Sequence, residues 1–475
     1  MEKLISFYCN NELLSVQINP AITLLDFLRN HKKLTGTKEG CREGDCGACT
    51  VMLGSLIKGK VKFKTVNSCL MPIADVSGKH VVSIEGLNNN ELNFLQSQFI
   101  DEGGTQCGFC TPGFIVSLTN YFVNHISYNV EDAIASLDGN ICRCTGYVGI
   151  KRAVQNTINY LDGGNSTNHN PVNHLITKKI LPPYFSELPK KLKQLQNKTG
   201  SSLKQKGNKL NIVSGGTDIF VQKWESLLEE DNYFVSDDTG LKLISKKQNK
   251  IFIGGAVTVE EFLESKIIQK YFPFLKEHLR LFGSLPIRNR ATIAGNIVNA
   301  SPIGDMTNIL LALSANVHLK DKNKKRVVPL NKFYLGYKTL NKKKNELVEQ
   351  VSIPIPGKNF LFNYEKVSRR TYLDIASVNS SILIAVQNGK IKEALISAGG
   401  VAPIPLFLKS TSKFLSGKEL SSSTVNHSIE IAKSEISPIS DARGSKEYKT
   451  LLLGQLIKAH FIKLFPELNV DEVLK

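Results

Sequence analysis

Eight of the nine cysteines in this 475-residue chain form two groups of four, and both groups are complete before residue 145. The first group has the spacing C-x4-C-x2-C plus one distant cysteine, as in plant-type ferredoxins. The second combines a C-x2-C with a C-x-C. A [2Fe–2S] cluster needs four thiolates, because each iron takes two protein sulfurs besides the bridging sulfides. The sequence therefore predicts two such clusters, ligated by Cys41, Cys46, Cys49 and Cys69, and by Cys107, Cys110, Cys142 and Cys144.

Zinc is the alternative occupant of either group, since four cysteines in a tetrahedron are also a structural zinc signature. Zinc ribbons, however, carry paired C-x2-C knuckles on hairpins. Here the first run has a C-x4-C spacing, and the second C-x2-C stands directly before Pro112 at the start of an expected helix. The spacings favour iron over zinc.

Composition and charge exclude several other classes of protein. The net charge of +18 comes mainly from lysines scattered over loops, without a basic helix that interleaves aromatic residues, so we expect a solvated basic surface and no nucleic-acid partner. No apolar run approaches the roughly 20 residues of a membrane span, and the N-terminus lacks the apolar stretch of a signal peptide. We expect a cytoplasmic protein without a membrane anchor, where reducing conditions favour metal-binding over disulfide-bonded cysteines.

The order of patterns along the chain predicts a multidomain α+β protein. An alternating hairpin and a helix capped by Thr23 precede the first cysteine loop, which is typical of a β-grasp domain. Segments with helical periodicity of apolar residues then precede and follow the cysteines of the second group. A polar stretch comes after them, and alternating strands and helices come after that. The expected boundaries are a ferredoxin domain at 1–86, a helical cluster-binding domain at 87–162, a linker at 163–175, an α/β domain at 176–357 and a C-terminal α+β domain at 358–475.

Two glycine-bearing turns in the larger domain indicate a nucleotide site. They read IVSGGTDI at 212–219 and ATIAGNIVNASPIGD at 291–305, whereas no G-x-G-x-x-G motif of a Rossmann fold appears. Such turns can direct backbone N–H groups at a diphosphate. Each alone is typical of an ordinary turn, but together, behind two electron carriers, they favour a dinucleotide such as FAD.

These motifs resemble the molybdenum hydroxylase family, to which xanthine oxidase belongs. GTKEGCREGDCGACTV, TVNSCL, TQCGFCTPGF and NICRCTGY are similar to its iron–sulfur region, and SGGTDI, ATIAGNIVNASPIGD, EKVSRRTYLDIASVN, GGVAPIP and DARGSKEY to its flavin region. The resemblance covers nearly the whole chain. It implies that 176–357 is an FAD-binding domain of the PCMH type and that 358–475 is the family's C-terminal flavoprotein domain.

The resemblance also implies roles for individual residues. Gln106 matches the position that faces the molybdopterin of a partner subunit. The two turns and four further positions match flavin contacts, namely Ile212, Val213, Ser214, Gly215, Gly216, Thr217, Asp218, Ile219, Phe282, Thr292, Ile293, Ala294, Gly295, Asn296, Asp305, Val348 and Lys366. No catalytic residue is expected on this chain, because the family's molybdenum-binding domain has no counterpart in it.

The function implied is that of the small subunit in the xanthine dehydrogenase branch of the family. A large molybdopterin-binding subunit would hydroxylate a purine, hypoxanthine or xanthine, and this chain would pass the electrons through both clusters to FAD and NAD+. The family further implies a dimer of heterodimers. Two alternatives stay open: the same role beside a subunit that oxidises an aldehyde or another N-heterocycle, and a free-standing NAD(P)H-linked iron–sulfur flavoprotein.

Overall fold

A computed structural model describes residues 2–89, 91–163, 170–199 and 211–468. The chain divides into two compact units, each formed from discontinuous stretches of sequence. The first unit comprises Met1–Asp237 and Ser284–Arg290, and the second comprises Asp238–Gly283 and Ala291–Lys475. Both cysteine groups therefore lie in the first unit.

The N-terminal part of the first unit is a mixed five-stranded sheet with the order β2-β1-β5-β3-β4. β1 is antiparallel to β2 but parallel to β5, and β3 is antiparallel to both β5 and β4. The strands are β1 (Lys3–Cys9), β2 (Glu12–Ile18), β3 (Thr50–Ile57), β4 (Lys60–Asn67) and β5 (His80–Val82). Thr23 caps the helix that follows the hairpin, as predicted, although this helix soon continues as a π-helical turn. Cys9, outside both groups, is buried in the core of this sheet.

Helices dominate the remainder of the first unit. Their apolar faces share a core with Met52 and Phe63 of the sheet, so the sheet and the helices pack as one body. The helices are Leu24–Asp26, Phe94–Asp101, Thr111–Asn124, Val130–Ala135, Val148–Asp162, Pro171–Thr177, Leu188–Thr199, Ile219–Gln222, Trp224–Glu229 and Leu285–Arg288. Two short parallel strands, β6 (Asn211–Val213) and β7 (Asn232–Phe234), complete this unit.

The predicted linker at 163–175 is not irregular throughout. Its last part forms the helix Pro171–Thr177, which the sequence patterns did not predict. Asn170 caps this helix, proline occupies its first position, and Leu175 is fully buried. A cap and one buried apolar residue are therefore enough to form this short helix, although the sequence shows little helical periodicity of apolar residues. Residues 164–169 lie outside the described part of the chain.

The second unit contains two larger antiparallel sheets and one small one. The first has the order β11-β10-β14-β9-β8, the second has the order β15-β16-β17-β18, and β12 pairs with β13. The strands are β8 (Ile244–Lys247), β9 (Lys250–Gly254), β10 (Asn316–Asp321), β11 (Lys324–Pro329), β12 (Tyr334–Gly336), β13 (Thr339–Leu340), β14 (Leu347–Pro354), β15 (Phe360–Val367), β16 (Val378–Gln387), β17 (Lys390–Gly399) and β18 (Leu406–Phe407).

Helices cover these sheets. Those near the C-terminus share a continuous apolar core with β16 and β17. The helices of the second unit are Val259–Glu264, Lys266–Tyr271, Leu275–Leu279, Ile293–Asn299, Asp305–Ala312, Lys409–Leu415, Ser422–Glu435 and Lys446–Leu464. Within the described residues, no helix combines the length and hydrophobicity that crossing a bilayer requires.

The predicted fold class, a multidomain α+β protein, is confirmed. The two compact units reflect packing and do not decide the domain boundaries predicted at 86, 162, 175 and 357. Those boundaries remain predictions.

A buried amide at the centre of the second unit gives a test of its packing. Asn308 donates to the Asn379 side chain at 2.9 Å and accepts from the hydroxyls of Ser381 and Ser397 at 2.6 and 2.9 Å. We expect Asn308→Ala to lower the free energy of unfolding of this unit by about 2–4 kcal/mol, because each buried polar group left unpaired costs about 1–3 kcal/mol. Hydrogen exchange of β16 in denaturant measures the change.

Asn331→Ala is the matched control, since this asparagine is exposed in the turn Leu330–Lys332. It should change stability by less than about 0.5 kcal/mol. Equal protection of β16 in both variants would show that the amide does not organise this core.

Candidate iron–sulfur and flavin sites

The first cysteine group is assembled by the β3–β4 hairpin and the loop that precedes it. Because Thr50 pairs with Asn67, the residues just beyond this end of the hairpin are brought together. The Sγ atoms of Cys49 and Cys69 lie 3.3 Å apart. Cys41 and Cys46, on the glycine-rich loop, form the second thiol pair through a hydrogen bond between their side chains.

Backbone N–H groups of this loop point at the sulfurs. The Glu43 N–H donates to Cys41 Sγ at 3.3 Å. The hydrogen bond from Cys46, together with backbone N–H groups of the loop, lowers the pKa of the Cys41 thiol to about 5, although burial opposes the shift. Left-handed φ values of +82° at Gly44 and +68° at Gly47 allow the loop to turn in this way. The loop therefore favours thiolate, the form that binds metal, at Cys41, whereas the hydrogen bond with Cys41 and burial raise the pKa of Cys46.

The second cysteine group lies at the starts of two helices. Cys110 is the residue before the helix Thr111–Asn124, and the C-x-C pair precedes the helix Val148–Asp162. The Sγ atoms of Cys107 and Cys144 lie 3.6 Å apart, and the thiols of Cys110 and Cys142 are hydrogen-bonded to each other. Burial and the neighbouring Cys142 raise the pKa of the Cys110 thiol to about 12, whereas hydrogen bonds from Thr145 lower the pKa of Cys142 although burial opposes this shift.

The pairing of the thiols fits iron–sulfur clusters. Two sulfurs bound to one tetrahedral ion at about 2.3 Å lie about 3.8 Å apart, close to the two measured pair distances. A single zinc ion would draw all four sulfurs of a group to that spacing. Two pairs per group match a cluster in which each of two irons takes two thiolates.

The two cysteine loops contact each other directly. The N–H of Ile141 donates to the carbonyl oxygen of Cys46 at 3.0 Å, so one hydrogen bond separates a residue of the first group from the neighbour of Cys142. The Asn140 side chain donates to the carbonyl oxygen of Gly47 at 3.1 Å. No side chain fits at Gly47, because a Cβ on this residue would collide with the carbonyl oxygen of Gly139.

The two groups differ in exposure to solvent. Cys49 and Cys69 are buried, and the other two cysteines of the first group are half-buried. In the second group, Cys107 and Cys144 are exposed, and so is the neighbouring Gln106. The first group is thus internal to its unit, and the second reaches the surface of that unit.

The first glycine-bearing turn lies in the same unit as both cysteine groups. Ile212 and Val213 end β6, the turn follows at 214–218, and Ile219 opens the short helix Ile219–Gln222. Gly216 has a left-handed φ of +85°. A Cβ there would lie 3.0 Å from the carbonyl oxygen of Leu70, so only glycine fits without strain. A compact turn with small residues and a short strand before it suits a diphosphate cradle.

The second glycine-bearing turn lies in the second unit. Thr292 caps the helix Ile293–Asn299, and the Gly295 N–H donates to its hydroxyl at 3.0 Å. The Asn296 side chain accepts from the N–H and the hydroxyl of Thr307, which links this turn to the helix Asp305–Ala312. Ala294 and the carbonyl oxygen of Val348 both lie against Gly255, so Val348 borders the same region.

Asp305 is the most heavily bonded residue of this region. Its carboxylate accepts from the hydroxyl of Tyr364 at 2.7 Å, from the ammonium of Lys366 at 2.7 Å and from the amide of Asn379 at 2.6 Å. Lys366 also donates to the carbonyl oxygen of Leu281 at 2.8 Å, next to Phe282. Burial and the adjacent Asp305 carboxylate raise the pKa of Tyr364 well above its usual value. Lys366 thereby holds the turn that carries Phe282.

Sequence reasoning missed the polar residues that support these sites. Asn140 and Arg290 join loops that are distant in sequence, and Tyr364 and Asn379 hold Asp305. Spacing gave no signal for Asn140, Arg290 or Asn379. For Tyr364 there was one: it lies two residues from Lys366 on β15, so both side chains are on one face of the strand.

Models of four protein families match successive parts of the chain. They are described as a 2Fe-2S iron-sulfur cluster binding domain at 7–74, a [2Fe-2S] binding domain at 83–155, an FAD binding domain in molybdopterin dehydrogenase at 188–356 and a CO dehydrogenase flavoprotein C-terminal domain at 363–464. Together they span most of the chain, and they support both iron–sulfur domains and the FAD-binding domain.

Similar proteins come from several branches of one family. The xanthine dehydrogenase of Dictyostelium discoideum is 28% identical over 98% of this chain and 41% of its own length, and the human aldehyde oxidase is 27% identical over 99% and 39%. The chain thus spans about 40% of the length of these curated relatives. A carbon monoxide dehydrogenase structure from Hydrogenophaga pseudoflava is 26% identical, with a TM-score of 0.51, over 53% of this chain and 88% of its own.

The thiol pairs give a direct test of the second cluster. We expect Cys110→Ser to abolish one of two [2Fe–2S] signals in the electron paramagnetic resonance (EPR) spectrum of the dithionite-reduced protein and to halve its iron content. Serine replaces one member of the Cys110–Cys142 pair and leaves the first group untouched.

Cys9→Ala is the matched control, because Cys9 is buried in the core of the β-sheet. It should keep both signals. Loss of both signals in Cys110→Ser, in protein that remains folded, would contradict two independent clusters.

Proposed function

We propose that this chain is the electron-transfer subunit of a xanthine dehydrogenase. The chain belongs to the molybdenum hydroxylase family and carries the iron–sulfur and FAD domains of that family. In this role it passes electrons from a molybdopterin-bearing large subunit through two [2Fe–2S] clusters to FAD and NAD+. The large subunit hydroxylates hypoxanthine and xanthine. The assembly is a dimer of heterodimers.

One observation carries the electron-transfer role: the two cysteine loops share a hydrogen bond. The Ile141 N–H to Cys46 carbonyl bond places the backbones of the two groups in contact. Asn140 adds a second link to the first loop. Electron carriers held this close can exchange electrons, whereas two separate structural metal sites would need no such contact.

The difference in exposure supports a direction for the flow. The exposed Cys107 and Cys144, with Gln106 beside them, present the second cluster to a partner subunit. The buried Cys49 and Cys69 keep the first cluster inside the chain, where Gly216 packs on Leu70, the neighbour of Cys69. Electrons therefore enter at the second cluster and leave the first toward FAD.

The residues proposed for flavin binding are those of the two turns with Phe282, Asp305, Val348 and Lys366. When bound, FAD supplies the exchange between one-electron carriers and the two-electron acceptor NAD+. The chain's own part is to hold the cofactor. The turns offer backbone N–H groups to the diphosphate, and the Asp305–Lys366 pair fixes the position of Phe282 through the Leu281 carbonyl.

The substrate is proposed from the relatives. Xanthine dehydrogenases are prominent among the similar proteins, but an aldehyde oxidase resembles the chain about equally, and a carbon monoxide dehydrogenase structure matches 53% of it. An aldehyde or another N-heterocycle is therefore the second candidate, since the substrate is selected by the large subunit. Cysteines that bind metal rather than form disulfides suit the reducing cytoplasm, where we place the enzyme.

Replacement of Gly216 tests the flavin site. We expect Gly216→Val to lower FAD content at least fivefold, because its left-handed φ of +85° and the nearby Leu70 carbonyl leave no room for a side chain. Flavin released by acid, measured by fluorescence, gives the content per chain.

Gly59→Val is the matched control. Gly59 has nearly the same φ, +80°, but a Cβ there meets no atom within 4 Å. The backbone strain is therefore alike, and only the surroundings differ. Equal flavin content in the two variants would reject 214–218 as the diphosphate turn.

Purification of the tagged chain from its native host tests the partner. We expect a larger, molybdenum-containing subunit to co-purify, and the complex to reduce NAD+ when xanthine is supplied. A complex active on an aldehyde but not on xanthine would select the second candidate. A chain that carries FAD and iron but no partner would favour the free-standing flavoprotein.

A further inference from the structure

A single buried arginine links the first-cluster domain to the first glycine-bearing turn. Arg290, whose side chain is 6% exposed, places Nη2 2.6 Å from the Asp75 carboxylate, itself 2% exposed. The same nitrogen donates to the carbonyl oxygen of Gly215 at 2.7 Å. Asp75 also accepts from the hydroxyl of Ser236.

The partners of Arg290 belong to different functional parts of the first unit. Asp75 lies in the turn Ile73–Val76, shortly after the cluster ligand Cys69. Gly215 lies in the turn at 214–218, and Ser236 follows β7, the strand that pairs with β6. One guanidinium thus joins the cluster side and the turn side of this unit.

Apolar packing joins the same two parts. Val213 and Phe220, which flank the turn, share a small hydrophobic core with Cys49 and Cys69. Gly216 lies against the Leu70 carbonyl, as described above. The position of the turn therefore depends on the structure around the first cluster.

The chemistry of this contact suits arginine. One nitrogen, Nη2, forms the ion pair with Asp75 and the hydrogen bond to Gly215, and the planar guanidinium fixes where that nitrogen lies. A lysine ammonium is a smaller point charge on a flexible stem and would hold its nitrogen there less firmly. Without the donor, the buried Gly215 carbonyl would lose its partner, which favours a different conformation of the turn.

We propose that Arg290 is a positioning residue for flavin binding, which holds the turn at 214–218 against the first-cluster domain so that its backbone N–H groups face the cofactor diphosphate. The proposal rests on the function proposed above, because it assumes that this turn binds FAD. Arg290 itself does not need to touch the cofactor.

The test compares FAD affinity with the state of the clusters. The double variant Arg290→Met/Asp75→Asn removes both charges, so that no unpaired buried charge remains. We expect its FAD dissociation constant, measured by fluorescence titration of deflavinated protein, to rise at least tenfold, while both [2Fe–2S] EPR signals persist. Arg290→Lys should give an intermediate value.

Arg152→Met is the matched control, because Arg152 forms an exposed ion pair with Glu102, and its side chain is 59% exposed. It should bind FAD as tightly as the unmodified chain. An unmodified chain that binds no FAD would overturn the proposed function instead, which separates the two failures.

Two results would overturn the role of Arg290. One is a double variant that binds FAD as tightly as the unmodified chain. The other is loss of the first-cluster signal together with FAD, which would make Arg290 a part of the ferredoxin-like fold alone. If the double variant does not accumulate, Arg290→Lys decides: an unchanged dissociation constant rejects the proposal.

Discussion

In each cysteine group the fold brings thiols together in pairs, although most of the paired cysteines are distant in the sequence. A [2Fe–2S] cluster needs two cysteine thiolates for each iron, besides the bridging sulfides. The hairpin register supplies one pair at 3.3 Å between Cys49 and Cys69, and two helix starts supply another at 3.6 Å between Cys107 and Cys144. The surrounding fold serves this geometry: loop N–H groups stabilise thiolate, and the hairpin brings together cysteines that are twenty residues apart.

Close contact between the parts follows from small residues and a few buried polar bonds. Gly47 admits Gly139 and Asn140, so the two cysteine loops meet. Arg290 and Asp75 form a buried ion pair, which is costly to desolvate and strongly destabilising when one partner is removed, by about 3–5 kcal/mol. Such contacts fix the relative positions of the cysteine loops and of the turn at 214–218 rather than maximise stability. Fixed positions are what a series of electron carriers requires, because electron transfer between carriers depends on the distance between them.

The sequence predicted the parts of the fold that local patterns encode. The fold class, the cap at Thr23 and the helix that begins near Pro112 are all present, because a cap, a proline or a run of periodic apolar residues determines each locally. The helix Pro171–Thr177 was missed because its periodicity is too short to detect. Long-range partners such as Arg290 were missed for a different reason: no spacing reveals which distant carboxylate a charge will meet. The flavin residues, drawn from resemblance, remain a prediction.

Metal and flavin analysis of the chain, isolated anaerobically with whatever accompanies it, decides whether the paired thiols hold iron–sulfur clusters. We expect four irons, four acid-labile sulfides and one FAD per chain, in proportion to two clusters and one flavin. A colourless protein with stoichiometric zinc and no flavin would rule this out, because the paired thiols would then hold structural ions and the chain could carry no electrons.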